Sequence, residues 1–151
     1  MKHSEAHIQL ELKNDLTDLS AALEGLQYSN EKCTKIGLKA SHTFEEQESF
    51  DSLSSKFARI ADLYSQKILK TIFLLLRENP RSFIDKANLA EKLEMIPSAD
   101  ELILIRDLRN EIVHEYLFSE LPRINSEIIA RYPSLLRAID STKAFIQQRG
   151  W

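Results

Sequence analysis

The sequence predicts an all-α fold, and three observations support this. Apolar residues recur at steps of three and four residues along almost the whole chain, which is the period of an amphipathic helix. Only three glycines and four prolines interrupt 151 residues, and no alternating stretch of comparable length indicates a strand. With 43% hydrophobic residues the chain fits one domain over residues 1–151, an antiparallel bundle of four to five helices.

The first helix is predicted over residues 6–28. Its apolar stripe is formed by leucines at helical spacing, namely Leu10, Leu12, Leu16, Leu19, Leu23 and Leu26. Residues 29–43 have weak periodicity and contain Asn30, Gly37 and Ser41, so we expect a connection there, and Gly25 and Gly37 bracket the frayed helix end.

A long second helix is predicted over residues 45–78, because the helical period continues until Asn79-Pro80 ends it. A shorter helix over 83–93 ends before Ile96-Pro97. Ser98 is the predicted N-cap of the next helix, with Glu101 as its capping-box partner. The last helical region follows Leu121-Pro122 and runs to about residue 148, with a bend or a split at Tyr132-Pro133.

Charge and cysteine content exclude several classes of protein. Twenty Lys and Arg against 23 Asp and Glu give a net charge of −3, which argues against coating duplex nucleic acid through bulk charge but permits a local phosphate site. The single cysteine, Cys33, excludes an internal disulfide and a multi-thiolate zinc site, and it suits a reducing compartment. The longest apolar run, residues 72–76, is far shorter than the roughly 20 residues of a membrane span. We therefore expect a cytoplasmic protein.

One segment carries a chemical motif: Arg109-Asn110, then His114 after three intervening residues, then Tyr116 after one more. This spacing resembles the R-x4-6-H signature of the HEPN superfamily and, with the tyrosine, the R-x4-H-x-Y motif of HepT-type toxins. The resemblance implies a metal-independent endoribonuclease toxin, a homodimer whose two motifs face one cleft, and cleavage that leaves a 2′,3′-cyclic phosphate. It also implies a nucleotidyltransferase antitoxin that silences the toxin by transferring AMP to Tyr116. No cofactor and no metal site are expected.

The residue types suit RNA cleavage without a metal. One group must take the proton of the 2′-hydroxyl, another must protonate the leaving 5′-oxygen, and positive charge must stabilise the phosphorane. His114 suits either proton transfer, since imidazole titrates near neutral pH. Arg109 is permanently cationic and its planar fork grips phosphate, while Asn110 either orients His114 or contacts the nucleotide.

Helix geometry separates the two catalytic candidates. At about 100° per residue, Arg109 and His114 point roughly 140° apart, whereas Asn110 and His114 share a face. Either the helix distorts near Val113, or the site is assembled from two copies of the motif across a symmetric interface. The resemblance favours the second arrangement.

Plainer interpretations of the same residues stay open. Arg109 would pair with Asp107, Glu111 or Glu115 on a solvated helix, His114 would be a satisfied histidine near a helix end, and Tyr116 would be an interface or core aromatic. At the level of function, the alternatives are a catalytically inert subunit that binds nucleotide or substrate for a minimal nucleotidyltransferase, and a helical scaffold whose motif is structural.

Overall fold

The computed structural model describes residues 4–114 and 118–151, and within them the chain is all-α without strands, as predicted. Its helices are α1 (Glu5–Ile36), α2 (Phe44–Asp62), α3 (Leu69–Leu76), α4 (Phe83–Lys92), α5 (Ala99–His114) and α6 (Leu121–Arg149). A π-helical segment, Leu63–Ile68, joins α2 to α3 in one continuous rod, and a short 3₁₀ turn, Phe118–Glu120, precedes α6. None of the described helices is long and apolar enough to cross a membrane.

Neighbouring helices run antiparallel around one core. Lys56 of α2 donates to Ser29 Oγ on α1 at 2.7 Å. Later in the chain, Lys67 of the π-helical segment lies near Asp15, closer to the start of α1, and its charge opposes the rise in the pKa of Asp15 that burial causes. Glu101 and Glu111 of α5 contact α6 in the same reversed order, through Arg137 and Arg123 respectively. The predicted antiparallel bundle is thus confirmed in these pairs of helices.

The first helix is longer than predicted, because residues 29–36 are helical and only 37–43 form the connection. Its fully buried apolar residues follow a seven-residue repeat: Leu12, Leu19, Leu26 and Cys33. Gly25 lies inside the helix, whereas Gly37 ends it with a φ of 83° that suits glycine. Leu10, assigned to the apolar stripe, is 56% exposed and does not belong to the core.

The long second helix is confirmed as a rod, but the sequence did not predict its π-helical turn. Leu69 N–H bonds to the Tyr64 carbonyl, the i→i−5 pattern of such a turn, and Ser65 Oγ donates to the Ala61 carbonyl at 2.7 Å. This widened turn buries the Tyr64 ring and leaves Gln66 exposed. It contributes several residues to the cleft described below.

The later helices follow the predictions with two differences. Ser98 Oγ accepts from Glu101 N–H at 3.2 Å as expected, but the Glu101 carboxylate contacts Arg137 of α6 instead of closing a capping box. Of the bend or split predicted at Tyr132-Pro133, the split does not occur, because the last helix is continuous through Pro133. Exposure of Pro133 and burial of the following turn on the core explain why the helix continues.

Candidate functional site

The motif helix α5 forms one wall of a polar cleft of about 360 Å³. The opposite wall is the end of α2 and the π-helical segment, and Phe83 at the start of α4 also lines the cleft. The polar side chains that line it are Asp62, Ser65, Gln66, Arg106, Arg109 and Asn110. Clefts of this size, with a few convergent polar groups, are typical of ligand sites.

Arg109 is held in this cleft by an acidic partner from another helix. Its Nη2 donates to Asp62 Oδ2 at 2.9 Å, and its Nε lies 2.7 Å from Asp62 Oδ1. The Nε–H is not aimed at that oxygen, so Nε has no hydrogen bond within the described residues although it is buried. Asp62 therefore holds the guanidinium by charge and by one hydrogen bond, and the Nε donor of Arg109 is unused.

Asn110 supports Arg109. Its Oδ1 accepts a hydrogen bond from Arg109 Nη1 at 3.2 Å, and both side chains line the cleft. The sequence left two roles open for Asn110, orienting His114 or contacting the nucleotide. Its position in the cleft fits contact with a ligand, and the side chain to which it is hydrogen-bonded is Arg109. The plainer alternative was a surface pair of Arg109 with Asp107, Glu111 or Glu115. Among the described residues Arg109 pairs with Asp62 instead, while Glu111 pairs with Arg123 and Asp107 with Arg106.

His114 does not join Arg109 in the cleft of a single chain. It is the last residue of α5 and is exposed, and the cleft lining does not include it. The helix is regular through Val113, so the distortion considered from the sequence is absent. Tyr116 and Glu115 lie outside the described residues.

A second groove of about 360 Å³ lies on the other side of Asp62. Its lining includes Arg59 of α2 together with Ile112 and Val113, the two residues before His114. Asp62 lines both cavities, so polar surface extends from the Arg109 cleft across Asp62 towards the histidine end of α5. Arg59 adds a positive charge to this surface. The net charge of −3 for the whole chain does not reveal such a local group.

Asp62 is the site residue that sequence reasoning missed. It lies 47 positions before Arg109, and in the predicted second helix it is one of several acidic residues with no distinguishing neighbour. A sequence signal exists only in retrospect, since Asp62 immediately precedes the π-helical turn and stands between the core positions Ile60 and Tyr64.

Comparisons of the chain with known protein families, with curated proteins and with solved structures find no match. The motif and the geometry of this site are therefore the two indications of function.

Proposed function

We propose that this chain is a metal-independent endoribonuclease toxin that acts as a homodimer and is neutralised by AMP transfer to Tyr116 from a nucleotidyltransferase antitoxin. The observation that carries the proposal is the fixed position of Arg109, held by Asp62 and Asn110 in a polar cleft on the same helix that ends at the exposed His114. The spacing of the motif adds the resemblance to HepT-type toxins.

The proposed reaction is an internal phosphoryl transfer. The RNA 2′-oxygen forms a bond to phosphorus while the bond between phosphorus and the 5′-oxygen breaks, giving a 2′,3′-cyclic phosphate and a 5′-hydroxyl. One neutral histidine takes the 2′-proton, and one protonated histidine donates a proton to the leaving 5′-oxygen. Arg109 binds the non-bridging oxygens and stabilises the charge that develops on the phosphorane.

A dimer supplies what one chain does not. Arg109 and His114 point to different sides of a regular helix, so a two-fold axis near the end of α5 would bring the His114 of each copy towards the Arg109 of the other. Apolar surface is available beside this end of the helix, since Val113 is 41% exposed and Phe118 is 79% exposed. An isologous contact through these residues would bury them and assemble two arginines with two histidines.

The decisive test is RNA cleavage by purified protein that has been expressed without its genomic neighbour. We expect the wild type to cut single-stranded RNA in the presence of a metal chelator and to leave 2′,3′-cyclic phosphate ends. His114→Ala and Arg109→Ala should each slow cleavage by about a hundredfold or more, in line with the usual contributions of a general acid or base and of charge stabilisation.

Matched controls separate chemistry from folding. His7→Ala removes another exposed helical histidine, and Arg137→Ala removes an exposed arginine that also contacts a carboxylate. Both should cleave as the wild type does. A His114→Ala protein that melts normally and still cuts RNA would refute the assignment. Coexpression with the neighbouring nucleotidyltransferase should add AMP units to the intact mass, and Tyr116→Phe should abolish the addition.

A second function is favoured by one observation: among the described residues, the cleft of a single chain contains Arg109 and Asn110 but not His114, and its one carboxylate, Asp62, is engaged by Arg109. Such a cleft would hold phosphate without turning it over, as expected of an inert subunit that binds nucleotide or substrate for a nucleotidyltransferase. RNA that stays intact with the unmodified protein, together with measurable binding of nucleotide, would establish this function instead.

A further inference from the structure

We propose that the cleft contains a nucleobase subsite, in which the Phe83–Arg106 pair stacks on a base and Gln66 contacts its edge, so that the chain selects single-stranded ribonucleotides by base as well as by phosphate. The inference rests on the proposed function only in assigning phosphate to Arg109. Its ligand class is a nucleoside monophosphate unit of single-stranded RNA.

The stacking surface is an arginine lying on an aromatic ring. The Arg106 guanidinium carbon is 4.6 Å from the centre of the Phe83 ring, and both residues line the cleft. Phe83 is partly buried against the core, so the ring is held in place by packing. Aromatic rings and guanidinium planes are the surfaces on which proteins stack unpaired bases, whereas phosphate alone needs no ring.

An amide group faces this platform from the other wall. Gln66 is exposed, lines the cleft, and makes no side-chain hydrogen bond within the described part of the chain. An amide offers both donors and an acceptor, which is the combination needed to contact the edge of a base. The π-helical turn places this residue here, and such turns are frequent at functional sites.

The spacing of the groups fits one nucleotide. Arg106 and Arg109 are three residues apart on α5, so the base platform and the phosphate group lie about one helical turn, roughly 5 Å, from each other. One further cation lies beside Phe83: Lys86 Nζ is 5.9 Å from the centre of the ring, and burial, followed by the charge of Lys70, lowers the pKa of Lys86. A neighbouring phosphate would favour the charged form of Lys86, as expected where a strand continues past the base.

The test is calorimetric titration of the full chain with the four nucleoside 5′-monophosphates and with ribose 5-phosphate, which has the phosphate but no base. We expect at least one nucleotide to bind about tenfold more tightly than ribose 5-phosphate, the ratio that stacking of one base supports. Phe83→Leu keeps apolar volume without the ring and should remove this difference while ribose 5-phosphate binds as before. Gln66→Ala should change the ranking among the four nucleotides.

Phe44→Leu is the matched control. Like Phe83, Phe44 is the first residue of a helix behind a side-chain N-cap, but it is fully exposed and lies 17 residues before Ala61, about 26 Å along the axis. It should leave every affinity unchanged. Equal affinities for the nucleotides and ribose 5-phosphate, or a folded Phe83→Leu protein that keeps the difference, would overturn the subsite. RNA cleavage without base preference contradicts the subsite alone, and base preference without cleavage contradicts the proposed function alone.

Discussion

Replacing Thr142 should cost more stability than removing the hydroxyl of its partner Tyr64. Thr142 Oγ1 donates to the Met95 carbonyl at 3.0 Å, and because a hydroxyl has one proton, the 2.6 Å contact with Tyr64 must be donated by the tyrosine. The Ala138 carbonyl, 3.3 Å from Tyr64 Oη, is a second acceptor within reach of that proton. These hydrogen bonds connect the π-helical segment, α6 and the loop before α5, and Tyr64 also lines the cleft.

The two substitutions leave different atoms without partners. In Tyr64→Phe, Thr142 keeps its bond to Met95, so the loss is one hydrogen bond, about 1 kcal/mol. In Thr142→Val, the buried Met95 carbonyl loses this donor and Tyr64 keeps only Ala138, so we expect about 2–3 kcal/mol. Valine is close to threonine in shape, so no cavity contributes to this difference.

Urea unfolding followed by circular dichroism measures both losses, and the double variant completes a thermodynamic cycle. The coupling between the two sites should be about 1 kcal/mol, the shared hydrogen bond. A coupling below about 0.3 kcal/mol would refute the hydrogen bond between the two hydroxyls, and a Tyr64→Phe cost that equals or exceeds that of Thr142→Val would refute the proton assignment.

Three further predictions concern the first helix and the cleft. Gly25→Ala should raise the free energy of unfolding by about 0.5–1 kcal/mol, because the position is inside a helix and a methyl group there would meet only Lys56 Cε, at 3.9 Å; urea unfolding measures it, and a loss of stability would contradict the described packing. Cys33 should react with iodoacetamide at least about tenfold more slowly in the native protein than in urea, since burial covers the thiol and raises its pKa; equal rates would show that the end of α1 opens freely. Asp62→Asn should tighten the binding of inorganic phosphate by about two- to fivefold, because the carboxylate competes with phosphate for Arg109; calorimetry measures this, and weaker binding would show that Asp62 serves only to position the arginine.

Much of the fold was predictable because it depends on local patterns. The all-α class and the rods around residues 45–78 and 83–93 follow from the helical period, and the N-cap at Ser98 follows from its position before that period begins. The predicted end of α1 was wrong because residues 29–36 are mostly polar, which hides their helical period. This part of the helix is stabilised by the packing of Cys33 in the core, and a lone cysteine among polar residues is not recognised as a core position from the sequence. The start of α2 had an unused signal, since Thr43 and Glu46 form a complete capping box.

The candidate site was predictable only in part. The motif located Arg109 and Asn110, and both are in the cleft, but their partner Asp62 is brought there by the packing of α2 on α5. Such a long-range pair leaves no local pattern in one sequence. The same is true of the stacking of Arg106 on Phe83.

The π-helical segment also determines how the buried residues of the second rod stay on one face along its length. Core residues there succeed one another by four positions, at Ile60, Tyr64, Ile68 and Ile72, and the widened turn absorbs the rotation that such steps would accumulate in a uniform α-helix. Deleting one residue from 63–68 would let the widened turn close to an ordinary α-helical turn, because core steps of four, three and four residues again complete about three whole turns. Core positions beyond the turn would keep facing the core, whereas the wall of the cleft that contains Ser65 and Gln66 would change. A single-codon deletion in this turn is therefore expected to preserve the fold and to disturb the cleft.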